Sequence, residues 1–167
     1  MTLADFTSPN LVIPRLRGHD VATVLQELSQ VLQREKRITD LLPFYHAALN
    51  REFMVSTDMD TGMALPHVHL PTLTNLAFAL GRSDRPLTWA ARSTTAVRLV
   101  FLSAVPATDS TQYLAVVSGL ARLAKHDHGR LLEKLKAAHN NCQMIDVLKQ
   151  IELRCTAIAR DQQKTTC

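Results

Sequence analysis

An α/β fold is what this sequence predicts: one domain, with helices layered on both faces of a β-sheet. Three observations carry the prediction. Short apolar runs at Leu11–Ile13, Met63–Leu65, Asn75–Leu80 and Val97–Val105 alternate with stretches whose apolar residues recur at helical spacing. The last run (Val97, Leu99, Val100, Phe101, Leu102, Ala104) is nearly continuous, and a strand of that kind is buried on both faces. At 167 residues, 46% of them hydrophobic, the chain is long enough to bury a core as one domain. No linker, repeat or low-complexity segment interrupts it, so residues 1–160 read as the domain and 161–167 as a frayed polar tail.

Taken in order, Leu11–Ile13 is a short strand ended by Pro14. Val21, Val24, Leu25, Leu28, Val31 and Leu32 then form one face of a helix from Asp20 to Gln33, with Asp20 placed to cap it. A second helix runs from near Asp40 to Arg51, with Pro43 tolerated in its first turn. Met63–Leu65 is a strand followed by a polar turn. Asn75–Leu80 is another, ended by Gly81-Arg82-Ser83-Asp84. After the Val97–Val105 strand, Thr108 or Asp109 caps a helix whose face includes Tyr113, Leu114, Val116, Val117, Leu120 and Leu123. Leu131, Leu132 and Leu135 mark a short helix. Asn140 or Asn141 opens a last one carrying Met144, Ile145, Leu148, Ile151, Leu153 and Ile158.

Several function classes fall away on composition. The net charge is +4 and the pI near 9.2, but Lys and Arg are scattered among Asp and Glu, without the clustered footprint of a nucleic-acid binder. No apolar run approaches the roughly 18–20 residues of a membrane span, and Met1–Phe6 lacks the basic-then-apolar pattern of a secretory signal. Cys142, Cys155 and Cys167 make no Cys-x-x-Cys and cannot all pair, which fits a reducing cytoplasm. There is no Gly-x-x-x-x-Gly-Lys, so a nucleotide is not the expected phosphoryl source.

The stretch with chemistry in it is Thr61-Gly62-Met63-Ala64-Leu65-Pro66-His67-Val68-His69-Leu70. Pro66 fixes its own φ and holds Leu65 extended, so His67 stands on a stiff support at a strand end. An imidazole near neutral pH is partly unprotonated and therefore nucleophilic.

Four patches, in order, resemble the enzyme IIA domains of the phosphotransferase system of the fructose, mannitol and nitrogen-regulatory class. They are Leu3–Ile13 before a regular helix; Ala48-Leu49-Asn50-Arg51-Glu52; Ser56-Thr57 through Gly62 to Pro66-His67; and Val97–Val105 with the helix from Gln112 and Leu131–Leu135. The resemblance implies a mixed β-sheet and a stand-alone cytoplasmic phosphocarrier without a cofactor. It also implies that His67 accepts a phosphoryl group on its far ring nitrogen from an HPr-type phosphohistidine carrier, that Arg51 stabilises the phosphate, and that the group is passed to a IIB domain or reported to a regulatory protein. A nitrogen-type role is expected rather than direct sugar transport. Phosphoryl transfer suits such a site because it asks mainly for positioning and for charge stabilisation of the oxygens.

The chain departs from the family pattern at three places. Asp58-Met59-Asp60-Thr61 stands where relatives have a glycine-rich turn, Gln112 where sugar-transporting relatives have a second histidine, and His69 where another polar or basic residue is common. Asp58, Asp60, Pro66, His69 and Gln112 are therefore candidate binding residues, the two aspartates as an acidic rim for a basic donor. The alternative is a catalytically silent interaction domain of the same fold, binding a partner through the His67 surface. The pairs His67/His69 and His126/His128 suggest a chelate, but no carboxylate or thiol spacing joins them, and no metal is expected. His19, His46 and His139 read as structural, and Trp89 as packing on a hairpin.

Overall fold

In the computed structural model, residues 1–91, 93 and 95–153 are described. Cys155, Ile158, Cys167 and the 161–167 tail lie outside them. Five strands, β1 (Val12–Ile13), β2 (Met63–Ala64), β3 (His67–Leu70), β4 (Ala77–Leu87) and β5 (Val97–Pro106), form one sheet in the order β1-β4-β5-β2, with β3 also on β5. β4 and β5 are antiparallel and the other pairings parallel, so the sheet is mixed. Its helices are α1 (Val21–Arg34), α2 (Leu41–Met54), α3 (Thr111–Lys125), α4 (Arg130–Ala137) and α5 (Asn141–Leu148).

Residue parity on β5 shows how the two layers arise. Leu99, Phe101 and Val105 enter one core with residues of α3, α4 and α5. Val100, Leu102 and Ala104 enter a second core with α1 and α2. A strand turns successive side chains to opposite faces, so its continuous apolarity serves both layers. Val21, Val24, Leu25, Leu28, Val31 and Leu32 are all buried along α1, as their spacing predicts. Asp20 caps that helix, its Oδ1 accepting the Thr23 N–H at 2.8 Å, and Asn140 caps α5 by accepting from Gln143 N–H.

Four local expectations differ. Gly81–Asp84 lies inside β4 and does not end it. Gly81 is the point where the Leu16 side chain crosses the strand (a Cβ there would sit 2.6 Å from Leu16 Cδ2), while the buried Arg82 donates to the carbonyls of Pro14 and Lys136 and pairs with Asp84. Gly and Arg in one strand resemble a turn only until those tertiary partners are known. Residues 67–70 form β3 where a turn was expected, because β5 is long enough to pair them in register, His67 opposite Ser103. Leu11, expected in the first strand, instead closes a 3-10 turn at Pro9–Leu11 that follows another at Leu3–Phe6, so β1 starts at Val12. Finally, α5 ends at Leu148; Ile151 and Leu153 bond to the amino-terminal segment through Leu3 N–H to Ile151 O and Leu153 N–H to Met1 O. No helix among the described residues is long and apolar enough to cross a membrane.

Candidate active site around His67

Three elements bring the site together. β3 opens with His67, α2 carries Arg51 in its last turn, and α3 carries Tyr113 in its first. Leu99, Phe101 and Val105 of β5 face the α3 side, and His67, paired with Ser103, shares their parity and faces that side with them. His67 is only 8% exposed. The Tyr113 ring lies against it, centroids 4.6 Å apart, and the hydroxyl is 2.9 Å from Nδ1. The Leu65 carbonyl is 3.2 Å from the same nitrogen.

Burial lowers the His67 pKa below the ordinary histidine value. Donation to the Leu65 carbonyl opposes that shift, and the charges of Arg51 and His69 add to it. The ring is therefore neutral at neutral pH, with one nitrogen carrying a lone pair. Burial also raises the Tyr113 pKa, partly offset by Arg51, so its hydroxyl keeps its proton. The positive charge of Arg51 thus opposes protonation of His67, in the same direction as burial, and favours ionisation of Tyr113, against it; in both cases its effect is smaller than that of burial.

The other predicted residues divide between the site and its surroundings. His69 is exposed and presents an edge to both rings, its centroid 5.7 Å from His67 and 6.2 Å from Tyr113. Pro66 is buried, and its carbonyl accepts from Ser103 N–H at 2.9 Å. Asp58 accepts from the Ser56 hydroxyl, and the hydroxyls of Ser56 and Ser93 hold its carboxyl below the usual range against a smaller opposing effect of burial. It ties the turn together and its backbone bridges to Ala64. Asp60 is exposed on that turn. Among residues 58–62 only Gly62 has a positive φ, +83°, so the missing glycines are not needed here. Gln112 is turned away from His67, its Oε1 accepting Leu76 N–H at 2.8 Å. The place expected for it is filled by Tyr113, one residue on.

Beneath the site lies a cluster the sequence does not announce. Glu52, 5% exposed, accepts from Trp89 Nε1 at 2.6 Å, from Thr57 N–H at 2.6 Å and from the Thr57 hydroxyl at 3.0 Å. Thr57 Oγ1 in turn accepts Leu65 N–H at 3.1 Å. Glu52 and Thr57 fall in the Ala48–Glu52 and Ser56-Thr57 patches, but nothing in the sequence pairs them, and Trp89, 37 residues from Glu52, gives no signal. Among the described residues no group of three or more His, Cys, Asp or Glu side chains could hold a metal ion.

A family model for the phosphoenolpyruvate-dependent sugar phosphotransferase system, EIIA 2, matches residues 5–151. The chain belongs to that family. It is 28% identical over 153 residues to a nitrogen regulatory protein of Bradyrhizobium diazoefficiens, a match covering 89% of this chain and 95% of that one. Its structure is similar to that of nitrogen regulatory protein IIA-Ntr from Neisseria meningitidis (TM-score 0.74, 20% identity, 87% and 98% covered). It is also similar to enzyme IIA of mannitol from Escherichia coli in complex with phosphorylated enzyme IIB (TM-score 0.69, 13% identity, 84% and 95% covered). These IIA-type neighbours share the single-domain mixed sheet with helices, as the sequence resemblance implied.

Proposed function

We propose that this IIA domain is a phosphohistidine carrier in which Nε2 of His67 accepts a phosphoryl group from an HPr-type phosphohistidine protein. The observation that carries the reading is the neutral, buried ring whose Nδ1 is occupied by Leu65 and Tyr113, leaving Nε2 as the nitrogen for attack. In the transfer, the Nε2 lone pair forms the new N–P bond as the donor's N–P bond breaks, and that electron pair returns to the donor ring. Arg51 stabilises the charge spread over the equatorial oxygens, an electrostatic task that needs no metal or nucleotide.

A second protein must reach the ring, and the surroundings favour one. Phe53 and Met54 close α2 just after Arg51, Val55 follows it, and Leu114 adjoins Tyr113; all four are well exposed. Exposed apolar residues beside a reactive polar group suit a protein partner. The same surface serves a IIB domain or a regulatory target in the second half of the cycle. The nitrogen-regulatory role is favoured over sugar transport by the relative of that description, which matches along nearly its whole length.

The test is intact mass after incubation with phosphoenolpyruvate, enzyme I and a carrier shown to phosphorylate a control IIA. One acid-labile phosphate on the wild type and none on His67→Ala is the expected result. Absence of label with a panel of active carriers overturns the reading and leaves a silent interaction domain.

A further inference from the structure

We propose that Trp89, Glu52 and Thr57 are positioning residues that select the reactive tautomer of His67 through the Leu65 carbonyl. This rests on the reading of His67 as the phosphoryl acceptor. The direction of each hydrogen bond in the cluster is dictated by its chemistry. An indole N–H can only donate, so Trp89 Nε1 gives its proton to Glu52 Oε1. The Thr57 hydroxyl lies 3.0 Å from both oxygens of that carboxylate and directs its single proton there. Its oxygen is left as an acceptor, and the Leu65 amide donates to it at 3.1 Å, sharing its proton with the Thr57 backbone carbonyl at 3.3 Å.

Leu65 is thereby held on its amino side. On the other side Pro66 fixes φ, and the Pro66 carbonyl is bonded to Ser103 N–H on β5. Between these anchors the Leu65 carbonyl faces the ring of His67 at 3.2 Å from Nδ1. A carbonyl only accepts, so this contact selects the tautomer with the proton on Nδ1 and the lone pair on Nε2.

Tyr113 supplies the opposing choice. Its hydroxyl, 2.9 Å from Nδ1, can donate to a bare Nδ1. The ring proton would then sit on Nε2 and block attack on phosphorus. Two groups thus compete at one nitrogen for opposite tautomers, and the placement of the Leu65 carbonyl decides between them. Glu52 and Trp89 make no hydrogen bond to the ring, whose partners are Leu65 and Tyr113; they act through Thr57 and Leu65.

The experiment measures the His67 ring nitrogens by long-range proton–nitrogen NMR in the full chain, at a pH where the ring is neutral, alongside initial rates of phosphorylation. Wild type should hold its proton on Nδ1. Thr57→Val should move the tautomer ratio about threefold toward Nε2–H, part of the effect of one lost hydrogen bond, because the Thr57 backbone carbonyl still accepts the Leu65 amide. Thr57→Ser should restore it, and Trp89→Phe should move it in the same direction by less. Tyr113→Phe, which removes the competing donor, should return the Thr57→Val ratio to that of wild type. The phosphorylation rate should fall with the tautomer population while KM for the donor stays unchanged.

A wild-type ring protonated on Nε2 overturns the proposal. So does a ratio unmoved by Thr57→Val or, where that variant does not fold, by Trp89→Phe. The two readings fail separately. Tautomers that respond in a chain no carrier phosphorylates leave the positioning network standing and remove the phosphocarrier; phosphorylation with unresponsive tautomers does the reverse.

Discussion

Replacing Glu52 by alanine removes the shared acceptor of Trp89 Nε1–H, Thr57 N–H and the Thr57 hydroxyl. The hydroxyl can rotate, so two donors are stranded in a position where the parent side chain is 5% exposed. Each costs about 1–3 kcal/mol when left unsatisfied. Removing a buried carboxylate relieves part of its desolvation, which offsets some of that loss. The net expectation is a destabilisation of about 2–4 kcal/mol. Glu52→Gln keeps an oxygen for the indole and the Thr57 amide but presents an N–H2 to the Thr57 hydroxyl, forcing it to reverse; about 1 kcal/mol is expected. Trp89 is the sole tryptophan of the chain, so its fluorescence reports on the affected bond directly during urea unfolding. Circular dichroism gives the global transition as a second probe. Glu52→Ala within about 1 kcal/mol of wild type, or equal to Glu52→Gln, would refute the assignment of Glu52 as the keystone acceptor.

Three further expectations follow from the site and its surroundings. His67 has its folded pKa below the unfolded value, so between the two the unfolded chain binds the extra proton. Stability should therefore be full above the unfolded histidine pKa and decline as pH falls toward the folded one; His67→Gln should flatten that window in urea titrations. Because burial is the largest cause, Arg51→Gln should raise the ring pKa seen by NMR only part of the way to the ordinary value. Gln112→Leu should cost about 1–2 kcal/mol by leaving Leu76 N–H without its acceptor, yet leave phosphorylation of His67 intact. Loss of phosphorylation with little change in stability would instead place Gln112 in the chemistry.

The strands and helices were legible wherever one periodicity dominated. α1 is the clearest case: six apolar residues on one face, an aspartate cap, and a buried stripe that matches them. β5 was equally plain because both of its faces are apolar. β4 was misread past Leu80, since Gly81 and Arg82 are turn-like in isolation and become strand residues only through Leu16, Pro14 and Lys136. β3 was missed because His67-Val68-His69 lacks a run of apolar residues; its pairing is supplied by β5.

Linear order by itself determined the layered α/β architecture, the family, and the Pro66-His67 pair with Arg51 upstream. Those depend on local spacing, on chain stiffness at proline, and on motifs a few residues long. Tertiary structure alone decided what surrounds the ring. A one-residue difference on a helix turns a side chain by about 100°, enough to set Tyr113 against His67 and aim Gln112 at Leu76. The partnership of Trp89 with Glu52 joins residues 37 positions apart, and no local pattern encodes a contact that exists only once the chain has closed on itself.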